Sequence, residues 1–359
     1  MTAGNQDDLT FVSLYSGAGG LDLGFIEAGW KPIWANDFEP DSVATYNEAM
    51  LRRGIDHRAR VGDIDAQPRP EPGSALAVIG GPPCQGFSVA GRMDPKDPRS
   101  RHVWTFFDFV ELVDPQVFVM ENVLGLALNK RWTSLRARLL TRATELGYET
   151  NLLQLRASDF GVPQNRDRMF LVGTRDLGFV PPTPVSKDRP PTVRDALALL
   201  PEVGAPGNDT RCVARVTPAK SPVLRKSPYA GMLFNGQGRP LNLDAPAPTL
   251  PATMGGNRTP ILDQSELDGE DIAWVLGYHA HLMAGRPPVS RIPSRLRRLT
   301  VEEAAAIQTF PVGFQLCGRT GSRFRQIGNA VPPKLGFAVA KALAGALRRA
   351  ERAPLESAA

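Results

Sequence analysis

Short apolar runs alternate with glycine-rich turns and amphipathic stretches through the first half of the chain. Residues 9–15 are β-branched, aromatic and apolar and read as a strand. The turn Ser16-Gly17-Ala18-Gly19-Gly20 follows, and residues 21–28 have the spacing of a helix. A second strand over 32–36 ends at Asp37-Phe38, and a third, shorter one ends at Gly62-Asp63-Ile64. A fourth, over 76–79, runs into Gly80-Gly81-Pro82-Pro83-Cys84-Gln85-Gly86-Phe87-Ser88. Helical spacing over 102–113 precedes a fifth strand over 117–120, which ends at Glu121-Asn122-Val123. A helix over 132–146 and a hairpin of strands over 148–156 and 169–173 close the series. Strand, turn and helix in this order predict an α/β sheet whose ligands sit at the carboxyl edge of its strands.

The alternation stops after Arg175. Residues 180–191 are proline-rich and read as an extended linker, and 192–298 are dense in Pro, Gly, Thr and Arg without βα order. Order returns with Thr300-Val301-Glu302-Glu303, a capping-box pattern opening a helix through Gln308. An alanine-rich helix over 335–349 is amphipathic enough to pack back on the first domain. The expected layout is a first domain over 1–175, a loop-rich second domain over 176–298, a hinge over 299–325 and a return to the first domain over 326–359.

Charge sharpens the division. Residues 1–175 carry 19 basic and 22 acidic side chains, net −3, whereas 176–300 and 301–359 are each net +4. The basic segments Arg211, Arg215, Lys220, Arg225, Lys226 and Arg286, Arg291, Arg295, Arg297, Arg298 suit either a polyanionic partner or a solvated face. With 42% hydrophobic and 22% charged residues the chain reads as globular, and no apolar run suggests a signal peptide or membrane span. Three widely spaced cysteines predict no disulfide framework and a reducing, cytoplasmic setting. Four histidines and no CxxC predict no metal site.

The strand ends carry the candidate chemistry. Glycines after the first strand let backbone approach a nucleotide-like ligand, although a tight turn without a ligand has the same pattern. Asp37 is placed to accept from a ribose diol and Phe38 to stack on a purine. Asp63 and Ile64 suit the edge and face of the same ring, while an acid at a strand end is also a common helix N-cap. Cys84, in a proline-fixed turn, is a candidate nucleophile; a small buried hydrophobe is the alternative. Glu121 directly follows four apolar residues, where an unpaired carboxyl is costly. Residues 89–101, with Arg92 and Arg99, read as a mobile lid or an ordinary surface loop. Gln164, Arg166 and Arg168 alternate and so are expected on one strand face.

Taken together, these segments resemble the DNA cytosine-5 methyltransferases of prokaryotic restriction–modification type, in the family's motif order across residues 9–345. Tyr15-Ser16-Gly17-Ala18-Gly19-Gly20, Asp37-Phe38 and Asp63-Ile64 resemble its first three motifs, and Pro82-Pro83-Cys84-Gln85 its catalytic loop. Glu121-Asn122-Val123 and Gln164-x-Arg166-x-Arg168 are similar to its next signatures. Residues 298–311 and Gly328-Asn329-Ala330-Val331-Pro332 resemble the ninth and tenth motifs. The resemblance implies a Rossmann-like α/β methyltransferase sheet with helices on both faces and a smaller, loop-rich target recognition domain. It implies S-adenosyl-L-methionine as cofactor, leaving as S-adenosyl-L-homocysteine, held by Tyr15, Gly17, Gly19, Gly20, Asp37, Phe38, Asp63, Ile64, Pro83 and Asn329. Cys84, Glu121, Arg166 and Arg168 are then catalytic, and Gln85, Ser88, Arg92, Arg99, Arg225, Arg258 and Arg297 are candidate contacts to double-stranded DNA. A monomer, with a possible cognate restriction endonuclease, is expected.

The residue types match the reaction. A thiolate adding at cytosine C6 makes C5 nucleophilic, and a carboxylic acid at N3 eases that addition. Two other readings are a tRNA cytosine-5 methyltransferase of the same fold and a non-catalytic DNA-binding protein. A generic Rossmann oxidoreductase is disfavoured by the glycine pattern and leaves Cys84 and Glu121 unexplained.

Overall fold

The computed structural model describes residues 9–83 and 101–356, with side chains to residue 350. It divides into two compact units, one of residues 1–160, 167–185 and 331–359, the other of 161–166 and 186–330.

The first unit is built on one seven-stranded sheet. Its strands are β1 (Thr10–Leu14), β2 (Lys31–Asp37), β3 (Arg60–Val61), β4 (Ala77–Gly80), β5 (Val117–Val123), β6 (Glu149–Arg156) and β7 (Asp167–Thr174). They lie in the order β3-β2-β1-β4-β5-β7-β6. The first five are parallel, and β7 runs antiparallel between β5 and β6. The helices are α1 (Gly20–Glu27), α2 (Pro40–Arg52), α3 (His102–Val113), α4 (Leu124–Leu128), α5 (Thr133–Glu145) and α6 (Pro333–Glu356).

Alternation along β1 decides what covers each face. Val12 and Leu14 enter a core with Phe106, Phe107 and Phe109 of α3 and Leu139 and Ala143 of α5. Phe11 points the other way, its ring 5.6 Å from that of Phe25 on α1. Parallel strands buried on both faces read as continuous apolar runs, which is why 76–79 and 117–120 are so legible.

The carboxyl-terminal helix closes the α1 face. Trp30 Nε1 donates to the Ala340 carbonyl at 3.3 Å. A Cβ on Gly24 would lie 2.3 Å from the Phe337 backbone nitrogen, so α1 and α6 approach to backbone contact. The stretch Thr320–Ala350 is long and apolar enough by composition to cross a bilayer, contrary to the reading from the sequence, but 61% of its apolar window is buried inside the protein.

The second unit has short elements around a small core of Leu233, Phe234, Ile261, Val275, Tyr278 and Leu296. Trp274 and Tyr278 stack at 4.7 Å on the helix Trp274–Met283. The capping box at Thr300 and Glu303 forms as its sequence predicts. Four helices of this unit stand where none was read, the short Val193–Leu197 and Gln264–Leu267 and the longer Trp274–Met283 and Thr320–Asn329. Residues 186–330 form one unit, where the sequence suggested a hinge over 299–325. Interactions within the unit account for that. Thr300 Oγ1 donates to Asn208 Oδ1 at 2.6 Å, and Arg297 grips Glu303 from the preceding strand.

Gly24→Ala is expected to force α6 off α1 and destabilise the protein by about 2 kcal/mol. Urea unfolding measures this, and an unchanged midpoint would contradict the close helix contact.

Candidate active site

Strand register lines up the candidate residues. Leu14 lies opposite Asn36 on one side and Gly80 on the other, and Gly80 opposite Met120. One residue further on, Tyr15, Asp37, Gly81 and Glu121 therefore stand in a row at the carboxyl edge. On the antiparallel β7, Phe170 stands opposite Glu121 and Arg168 opposite Val123, two residues beyond the row, from where its side chain reaches Glu121.

At the β1 end the chain turns through Tyr15, Gly17 and Gly19, with φ of 56°, 55° and 82°. Glycine adopts these angles freely; Tyr15 does so at a cost of about 1–2 kcal/mol. The Tyr15 hydroxyl meets His102 Nδ1 at 3.1 Å, and burial pushes its ionisation well above the usual tyrosine range. Asp37 braces the turn, its Oδ2 accepting from Gly17 N–H at 2.8 Å and its Oδ1 from Glu39 N–H at 2.9 Å. Burial raises the Asp37 pKa. Phe38 is 70% exposed, an aromatic face left open beside the turn.

Two cofactor candidates have other engagements. Asp63 Oδ1 caps the next turn by accepting from Asp65 N–H at 3.1 Å, the N-cap alternative raised by the sequence. Ile64 is 3% exposed and belongs to the main core.

Glu121 sits at the centre of the row. Arg168 Nε lies 2.9 Å from Glu121 Oε1, with the two side chains 14% and 12% exposed. A Cβ on Gly81 would come within 2.9 Å of Glu121 Oε2, so only glycine leaves the carboxyl in place. Asn122 is buried and donates from Nδ2 to the Pro82 carbonyl at 3.2 Å. It thereby ties the β5 end to the proline turn, with Pro83 half-buried beyond it. Cys84, Gln85, Ser88, Arg92 and Arg99 lie outside the described residues.

Arg166 belongs to the second unit and is 1% exposed. Its guanidinium donates to the Leu250 carbonyl at 3.2 Å and the Gly328 carbonyl at 2.8 Å. Gln164 Oε1 accepts from Leu250 N–H at 3.1 Å, and its Nε2 donates to Gln308. The Gln-x-Arg segment thus holds the chain at Leu250 and the helix end at Gly328, beside the exposed Asn329.

The expected DNA contacts divide by exposure. Arg225 and Arg258 are exposed, and neither guanidinium makes an ion pair or hydrogen bond among the described residues. Arg297 is engaged inside the fold, donating to both Glu303 oxygens at 2.8 and 2.6 Å and to Gln264 at 2.7 Å. Its guanidinium is held by that carboxylate in the DNA-free protein.

Three residues went unmarked as site candidates. Gly81 and Asn122 act through backbone proximity, which motif spelling alone does not express. Asp22, in the first turn of α1, is 0% exposed. Its signal was an acid among Leu21, Leu23 and Phe25, out of step with a buried helix. Burial pushes its pKa up to about 7, although the Ser13 and Tyr46 hydroxyls face it and lower it.

This mixed sheet with helices on both faces is an α/β methyltransferase fold. Solved structures agree: the Schizosaccharomyces pombe Dnmt2 methyltransferase superposes with a TM-score of 0.65 at 18% identity, covering 94% of this chain and 99% of that one. The Entamoeba histolytica methyltransferase EhMeth gives 0.66 at 14% identity, covering 96% and 99%. The family described as C-5 cytosine-specific DNA methylase matches residues 9–345, and the chain belongs to it. Among its relatives, the Type II methyltransferase M.MthTI of Methanothermobacter thermautotrophicus is 31% identical, covering 93% of this chain and 96% of that one. M1.HphI of Haemophilus parahaemolyticus is 30% identical over 93% and 86%.

Asp22 makes stability pH-dependent. The unfolded carboxyl titrates near 3.8 and the folded one near 7, so between those values the folded state keeps a proton that the unfolded chain has lost. Stability should therefore fall as pH rises across that window and level off above it; Asp37 adds in the same direction. Asp22→Asn has no proton to lose and should flatten much of the fall in urea midpoint between about pH 5 and pH 8. An equal slope in the variant would contradict this.

Proposed function

We propose that the protein methylates C5 of one cytosine in a specific double-stranded DNA sequence, through a transient bond between Cys84 and cytosine C6. The observation that carries this reading is the Arg168–Glu121 pair, with Glu121 level with the start of the Pro82-Pro83 turn that leads into Cys84.

The residues present fit S-adenosyl-L-methionine. Phe38 offers an open aromatic face for the adenine, Asp37 lies beside the backbone of Gly17, and nothing stands within 4 Å of the face where a Gly17 side chain would project. Tyr15, Gly17, Gly19, Gly20, Asp37, Phe38, Asp63 and Pro83, all in the first unit, would hold it. Bound, this cofactor supplies an electrophilic methyl group.

Every other step is assigned to the chain. The Cys84 thiolate adds to C6, breaking the ring's aromaticity and placing electron density on C5. Glu121 gives a proton to N3 as the negative charge develops there. Arg168 fixes one carboxyl oxygen so that the other is directed at the base, and its remaining donors suit cytosine O2. After transfer a water takes the C5 proton, the C6–sulfur bond breaks to release Cys84, and N3 returns its proton to Glu121. The target carbon is stacked in duplex DNA, so the base has to be flipped out at a cost of roughly a few kcal/mol.

The second unit is assigned target recognition. Arg215, Arg225, Arg239 and Arg258 are exposed with no ion pair among the described residues, whereas Arg194, Arg295 and Arg297 are paired to carboxylates. Unpaired guanidinium groups suit phosphates and guanine edges. The likeness to Type II methyltransferases supports a modification enzyme with a cognate endonuclease cutting the same site; a monomer acting in the cytoplasm is part of the proposal.

Expression in a host without cytosine methylation, followed by bisulfite sequencing, is expected to show 5-methylcytosine in one recurring sequence. Cys84→Ala should abolish it, and Glu121→Gln should slow transfer by about a hundredfold or more. Methyl groups appearing in tRNA instead of DNA, or turnover by Cys84→Ala, would overturn the reading.

A further inference from the structure

Tyr15 opens the glycine turn in a conformation that its residue type resists. The chain takes left-handed angles three times there, at Tyr15, Gly17 and Gly19, with φ of 56°, 55° and 82°. Two of the three are glycines, for which such angles carry no steric penalty. A tyrosine at φ 56° is strained, and such a residue persists only where its surroundings fix it. Tyr15 also directly follows β1 and lies five residues before α1 begins at Gly20. Its backbone angle therefore sets the direction in which the whole turn leaves the sheet.

What fixes Tyr15 comes from α3. Its Oη lies 3.1 Å from His102 Nδ1 and 3.4 Å from the His102 carbonyl oxygen. The two rings meet edge to face, with centroids 5.4 Å apart and planes at 77°. The Thr105 hydroxyl, one turn further along α3, faces the same oxygen. The tyrosine ring packs against the main core. Packing alone would be met by a phenylalanine; the hydroxyl is what engages the first residue of α3. The next residues of the turn are braced from β2 instead. Ser16 N–H donates to the Asn36 carbonyl at 3.0 Å, and Gly17 N–H donates to Asp37.

We propose that His102 is a positioning residue for the methyl donor, holding Tyr15 in the left-handed conformation that gives the glycine turn its binding shape. The inference rests on the cofactor reading above and adds a residue that lies in none of the strand-end segments. Without the contact, less offsets the strain at Tyr15, and the residue spends part of its time at ordinary negative φ. The turn then has its binding shape for only part of the time. The apparent affinity of a ligand that needs this shape falls by the same fraction. His102 touches neither the donor nor the base; it acts through Tyr15.

The test is calorimetric binding of S-adenosylmethionine to the whole chain, without DNA and without turnover, with duplex-DNA affinity and thermal unfolding measured alongside. His102→Phe keeps an aromatic ring and loses the polar contact. It is expected to weaken S-adenosylmethionine binding by about fivefold, with duplex-DNA affinity changed less than twofold. Tyr15→Phe keeps the ring packing, loses the hydroxyl, and should weaken binding to a similar degree. Combining the two should weaken it no further, since both remove one contact. His102→Asn, whose amide offers a donor or an acceptor in place of Nδ1, should restore most of the affinity. A merely structural role would lower the unfolding midpoint without this pattern in donor affinity. Wild-type donor affinity in His102→Phe, an equal loss of DNA affinity, or losses that add in the double variant overturns the proposal. If His102→Phe does not fold, Tyr15→Phe carries the test, and unchanged donor affinity in it overturns the proposal as well. Failure of the wild type to bind S-adenosylmethionine instead overturns the cofactor reading on which it rests.

Discussion

The site depends on one ion pair across two antiparallel strands, Arg168 on β7 and Glu121 on β5, 2.9 Å apart and each less than 15% exposed. Neither side chain is tolerable there alone, since a charge this sheltered is costly unless it is paired. The pair therefore fixes the register of β5 against β7. Separately, the register of β5 against β4, with Met120 opposite Gly80, sets Glu121 level with the start of the Gly81-Pro82-Pro83 turn. Asn122 locks the turn to β5 through the Pro82 carbonyl, and Gly81 leaves room for the carboxyl. The chemistry follows from that placement. One Glu121 oxygen is held by a guanidinium, the other lies beside the turn, and the next residue after the turn is the thiol.

The glycine turn at the end of β1 has a matching pair of acids. Asp37 braces Gly17 through its backbone N–H, while Asp22 lies buried in the first turn of α1. Both are kept in surroundings that resist ionisation. The turn is thus formed by residues that lower stability near neutral pH, and the α1–α6 contact at Gly24 helps offset that cost. Stability given up beside a binding turn is a common bargain at functional sites.

Much of this was legible in the sequence because parallel strands buried on both faces leave unbroken apolar runs with polar residues at their ends. Asp37, Glu121 and the glycines after β1 stand where those runs stop. The capping box at Thr300 and Glu303 was legible because it needs only local geometry. Long-range partners were not. Arg166 and Arg168 are two residues apart, yet the boundary between the compact units falls between Arg166 and Asp167. Arg166 holds two carbonyls in its own unit, and Arg168 holds Glu121. Arg297 read as one more basic residue until Glu303 and Gln264 were seen to surround it. The helix Trp274–Met283 was missed because its aromatic residues pack on a small core assembled from distant strands.

The central claim is that Glu121, held by Arg168, assists attack of a thiol on cytosine C6. Duplex DNA carrying 5-fluorocytosine tests it directly, because fluorine at C5 blocks the final proton loss and traps the adduct. Mass spectrometry of the digested complex should find the modified pyrimidine on the peptide containing Cys84, forming much more slowly in Glu121→Gln. An adduct on another residue, no adduct at all, or equal rates in the two proteins would contradict the account.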